Sequence, residues 1–131
     1  MIAPLLQAVL AVIALVHLVW AFGLWIPLCD ERALARATVG TPGVERMPPA
    51  AACAAVAGAL AVAATVPSWP DGPLRTIALG ALAAVFVARG AAAYLPAFRR
   101  LAPERPFAWL DTVAYGPLCL VIGARFAILI R

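Results

Sequence analysis

The sequence predicts an all-α integral membrane protein, a bundle of four transmembrane helices. Three observations carry that prediction. Of the 131 residues 66% are hydrophobic and only 12% are charged, against about 45–50% and 25% in soluble domains. Mean hydropathy is +1.00. The charges gather in short stretches between uncharged runs long enough to cross a bilayer, which takes about 20 apolar residues. Four such spans consume roughly 80 residues and leave only short connections. No room remains for a soluble catalytic or nucleic-acid-binding domain, so any chemistry lies within or at the edge of the bilayer.

The first span is predicted over residues 2–28, where only Gln7 and His17 are strongly polar. Nothing basic precedes the run and it exceeds a signal-peptide core in length, so it reads as a retained helix. Residues 30–49 carry six charges, a Thr41-Pro42-Gly43 turn and a closing Pro48-Pro49 pair that suits a helix start. The front of this loop, Asp30 to Arg36, predicts a short helix on the membrane surface, capped by Asp30. The second span, 50–66, is built almost wholly of Ala and Val. Ala50, Ala54, Gly58 and Ala61 fall along one face and permit close helix approach. That pattern predicts a helix packed in the bundle interior, with a dimerisation face as the alternative.

Pro67 to Pro73 is a turn dense in breakers, with Trp69 suited to the interface. The third span, 74–95, carries Gly80, Ala84 and Ala88 at four-residue steps and Arg89 before its end. Residues 96–105 form the third connection, with Arg99, Arg100, Glu104 and Arg105. The fourth span, 106–130, holds Asp111 about one turn inside and Pro117 near its middle. Together the spans make a single transmembrane domain over 1–131.

All ten basic residues are Arg, and they sit between apolar segments rather than in a stripe, which speaks for topology and against nucleic-acid binding. The connections 30–49 and 96–105 hold Arg32, Arg36, Arg46, Arg99, Arg100 and Arg105. The opposite side holds Arg75 and Arg131, with Arg125 near the outer end of the last span. The bias places both connections in the cytoplasm and both termini outside, as expected of a multi-pass protein of the bacterial inner membrane. Cys29, Cys53 and Cys119 have neither redox nor zinc spacing and read as small buried fillers.

Ionisable groups at bilayer depth cost a few kcal/mol, face the bundle interior and raise the question of function. His17, Arg89, Asp111 and the polar aromatic Tyr115 qualify. From the helical rise, Arg89 and Asp111 lie about 9 and 8 Å inside the same end, while Tyr115 and His17 lie deeper, at about 13 and 16 Å. Two levels follow: an Arg89–Asp111 pair and a Tyr115–His17 pair. Trp20, one turn beyond His17 on the same face, belongs to the cluster or to an aromatic belt. Pro117 cannot donate to Val113 and, beside Gly116, predicts a kink. A lone His with no second ligand predicts no metal, haem or other cofactor.

The strings His17-xx-Trp20-Ala21-Phe22-Gly23, Arg89-Gly90 and Phe107-xxx-Asp111-Thr112-xx-Tyr115-x-Pro117-Leu118-Cys119-Leu120 resemble a domain-of-unknown-function family of small bacterial four-span membrane proteins. The resemblance covers nearly the whole chain and implies the four-span fold but no activity. In similar proteins the Arg-Gly region continues with glycine and acidic residues, where Ala91-Ala92-Ala93 stand here.

Three functions fit these residues. The first is a non-enzymatic bundle that binds a lipid, a small hydrophobic ligand or a membrane partner through His17, Trp20, Arg89, Asp111 and Tyr115. The second is a proton-coupled transporter, which at this size would act as a homodimer. The third is a membrane-embedded acid–base enzyme acting on a lipid-soluble substrate, although no nucleophile motif is present.

Overall fold

The structure, a computed structural model, describes residues 2–131. Every regular element among the described residues is helical: α1 (Ile2–Ala21), α2 (Glu31–Thr38), α3 (Ala50–Thr65), α4 (Pro73–Ala92), α5 (Pro96–Leu101), α6 (Phe107–Leu110) and α7 (Gly116–Ile128). A 3₁₀ turn at Val66–Ser68 extends α3, and a π turn at Asp111–Tyr115 joins α6 to α7. Four helical stretches, Ala3–Ala21, Ala50–Ser68, Pro73–Ala92 and Phe107–Ile128, are long and apolar enough to cross a membrane. The chain is therefore a multi-pass, all-helical membrane protein.

The first helix stops at Ala21, short of the predicted residue 28. Gly23 adopts φ +75°, and the Gly23 and Leu24 amides donate to Trp20 O and Val19 O. That is a Schellman close, for which an achiral residue in the left-handed region is the preferred terminator. A turn over the following apolar residues leads to α2, where the Asp30 carboxylate accepts from the Ala33 amide at 2.7 Å, as its capping position requires.

The four long helices pack chiefly as two pairs, α1 with α3 and α4 with α7. One core joins the pairs at the end where the termini lie. It draws Leu6 and Leu10 from α1, Ala63 and Val66 from α3 and its turn, Leu79 and Ala83 from α4, and Ile122 and Phe126 from α7. At the other end α2 forms a roof, burying Leu34 and Ala35 with Met47 against Trp20 and Trp25.

Glycines set the α4–α7 spacing. A Cβ at Gly123 would stand 2.9 Å from Val87 N and 3.0 Å from Ala83 O, and one at Gly90 would stand 2.8 Å from Gly116 O. Small residues thus bring backbones together as they commonly do in membranes, but on this pair and not where the second span predicted it. Ala50, Ala54, Gly58 and Ala61 are exposed. Instead α3 buries Cys53, Ala57 and Ala63. A helix of nearly uniform small residues carries no pattern that would select one face, so the partner helix selects it.

Candidate functional site

Asp111 is the one fully buried charged side chain among the described residues, at 0% exposure. The π turn places it. The Gly116 amide reaches back five residues to Asp111 O, which frees Thr112 O from its usual partner, and Pro117 has no N–H to offer in exchange. The Tyr94 hydroxyl donates to that oxygen at 3.0 Å. The irregularity expected as a kink at Gly116 and Pro117 is thus a π turn in the preceding five residues, with regular helix resuming at Gly116.

Arg89 meets Asp111, as their equal depth predicts: Arg89 Nη2 donates to Asp111 Oδ1 at 2.7 Å. Sequence reasoning missed the second partner. Arg99 Nη2 donates to Asp111 Oδ2, and Arg99 Nη1 donates to Ala108 O at 3.0 Å. Arg99 stands on α5, which folds back against the fourth span instead of standing in water as the charge of the 96–105 connection suggested. The signal for it was Pro96, which opens a helix at its first turn.

The Phe98 ring lies 5.3 Å from the Arg89 guanidinium and 5.0 Å from that of Arg99. Side-chain exposures of 37% for Arg89 and 23% for Arg99 show a cluster covered on its Asp111 side and open at its rim. Chemically it is a buried carboxylate held by two guanidiniums. One such partner alone would leave less compensation for removing the carboxylate from water.

The predicted Tyr115–His17 pair does not form, because the two residues belong to different helix pairs and each is engaged elsewhere. The Tyr115 hydroxyl donates to Ala37 O at 3.1 Å, near the end of α2. Beside it the Glu104 amide donates to Gly40 O, and Phe107 packs so closely on Gly40 that a Cβ there would lie 2.2 Å from its ring. The fourth span thus props the roof at Ala37 and Gly40.

His17 Nδ1 lies 2.8 Å from Ile13 O. A carbonyl only accepts, so Nδ1 carries a proton, and in the neutral ring Nε2 is then the nitrogen with the lone pair. The ring packs 5.0 Å from Trp20, whose indole N–H donates to Ile26 O. Both rings line a cavity of about 210 Å³ with Thr38, Val39, Met47 and Cys53. Its other walls, Pro48, Ala52 and Val56, are exposed, so it opens at the surface of the α1–α3 pair under the roof. His17 and Trp20 therefore share this cavity, whereas Arg89 and Asp111 lie in the other helix pair and Tyr115 connects the two through Ala37. No group of three His, Cys, Asp or Glu among the described residues is placed to hold a metal ion.

Residues 10–126 match the model of a family described as "Protein of unknown function (DUF3995)". No curated protein and no solved structure matches the chain. With most of its length matched, the chain belongs to this family.

Proposed function

We propose that this DUF3995 member is a non-catalytic membrane protein that binds a small hydrophobic ligand in the cavity beneath α2. The observation that carries the reading is the His17 ring. Its Nδ1 hydrogen is committed to Ile13 O, so in the neutral form Nε2 is the acceptor on a ring that lines an otherwise largely apolar cavity. A site of this kind takes an apolar body that presents one hydroxyl or N–H to a fixed acceptor. About 210 Å³ is below the roughly 300 Å³ at which pockets for drug-sized ligands begin. The occupant is then a single ring or short chain, with Trp20 as its stacking wall.

In this reading the two helix pairs divide the work. Asp111, Arg89 and Arg99 fix the connection around α5, and the fourth span holds the roof through Tyr115 and Gly40. Thr38 and Val39, next to the propped Ala37, line the cavity. The arginine bias puts the roofed end in the cytoplasm and both termini outside.

The test is gentle purification followed by mass spectrometry of the organic extract, comparing wild type with His17→Ala. An apolar compound bearing a hydroxyl or N–H, near stoichiometric in wild type and lost from the folded variant, is the expected result. Equal occupancy in both proteins would refute the site.

A further inference from the structure

The loop end carries a second concavity, separate from the His17 cavity, where α2 meets α6. It measures about 530 Å³ and is lined by Leu28, Ala33, Arg36, Arg105, Pro106 and Trp109. We infer that it seats the phosphate headgroup of an anionic phospholipid from the leaflet on that side, with Arg36 and Arg105 on the phosphate and Leu28 and Trp109 against the upper acyl chain.

Charge complementarity is the first argument. Each of the six acidic residues is engaged among the described residues. Asp30 caps α2 and Glu31 accepts from Met47 N. Glu45, Asp71 and Asp111 pair with Arg32, Arg75 and the two clamp arginines. Glu104 reaches Arg36 only at 3.5 Å, a distance at which a hydrogen bond to a charged group is weak. Among the described residues no carboxylate pairs with Arg105. Among the described residues the one carboxylate partner of the two arginines that line the concavity is thus loosely held, and a phosphate accepts from guanidinium forks in a bidentate manner.

Position is the second argument. Trp109 stands in the first turn of the fourth span and is 55% exposed, and Leu28 is 48% exposed. An exposed Trp at that level is an interfacial anchor. Arginine together with exposed tryptophan and leucine in one concavity suits a phospholipid, which joins a phosphate to acyl chains, whereas inorganic phosphate in water would not require the apolar walls. Basic pockets of this kind at a membrane face suit anionic headgroups.

The test is lipid titration of the purified full chain, followed by native mass spectrometry, with phosphatidylglycerol and phosphatidylcholine as probes. Wild type is expected to prefer phosphatidylglycerol by roughly tenfold or more, since each arginine near an anionic lipid contributes severalfold. Arg105 is exposed and makes no ion pair among the described residues, and Arg105→Glu is expected to bring that preference within about twofold. Arg46→Glu makes the same charge change at the same end outside the concavity and is expected to keep it. Equal loss in both variants overturns the site in favour of general surface potential, and displacement of the lipid by inorganic phosphate alone overturns the lipid as occupant. Because His17 and Trp20 are untouched, these outcomes are independent of the ligand beneath α2.

Discussion

The α4–α7 pair and the α1–α3 pair are built from similar apolar material but hold together differently. In α4–α7 the backbones nearly touch at Gly90, Gly116 and Gly123, and the Asp111 carboxylate, at 0% exposure, ties the fourth span to α4 through Arg89 and to α5 through Arg99. In α1–α3 the buried side chains are Leu6, Leu10, Ala14, Cys53, Ala57 and Ala63, with Val9 and Ile13 packed against the core. The pair's cross-helix polar bond is Gln7 Nε2, which donates to Ala64 O at 2.9 Å and to Ser68 Oγ at 2.8 Å, at the end opposite the roof. Toward the roof the α1–α3 pair leaves the cavity beside His17. One pair is a close-packed frame, and the other carries the space in which a ligand fits.

The largest expected effect breaks the frame. Asp111→Ala leaves two partly buried guanidiniums facing each other without their counter-charge, and loss of one member of such a cluster costs about 3–5 kcal/mol. A drop in the detergent melting temperature to the edge of folding checks it. Next comes Gly123→Ala, where the added methyl meets Val87 N and Ala83 O, backbone atoms that cannot rotate away. Overpacking of this kind costs about 1–3 kcal/mol, read in the same melting experiment.

His17→Ala removes one side-chain hydrogen bond and is expected to cost about 1 kcal/mol, while the cavity loses its acceptor. Stability and ligand occupancy should therefore separate in this variant. The smallest effect sharpens the contrast from the open side. Gly58→Ala meets nothing within 4 Å and lies within helix α3, so it is expected to stabilise by about 0.5–1 kcal/mol. A loss of stability there would mean that the exposed face of α3 is covered by another helix.

Features with a local or one-dimensional cause were legible in the sequence. The spans follow from hydropathy, α2 from its capping aspartate, and Arg89 with Asp111 from the cost of charge at equal depth. Depth is only one coordinate, however. It could not tell that Tyr115 and His17 belong to different helix pairs, so their expected pairing failed. Arg99 was hidden because a charged connection reads as solvated until its chain folds back. The packing face of α3 was hidden because alanine on every side offers no preference. The end of α1 was written in Gly23 but masked by the apolar residues that follow it. The π turn has no sequence signature beyond the missing amide of Pro117.

The claim that His17 offers a lone pair to a bound ligand can be read directly, because the chain contains a single histidine. Nitrogen NMR of histidine-labelled protein gives one Nδ1 and one Nε2 resonance. The hydrogen bond to Ile13 O predicts a protonated Nδ1, and acceptance of a ligand hydrogen at Nε2 predicts that Nε2 carries no proton of its own in the occupied protein. Ligand binding also predicts that the Nε2 resonance moves toward the hydrogen-bonded range in gently purified protein relative to exhaustively delipidated protein. A protonated Nε2 in the gently purified protein, or an Nε2 resonance identical in the two preparations, would contradict the claim.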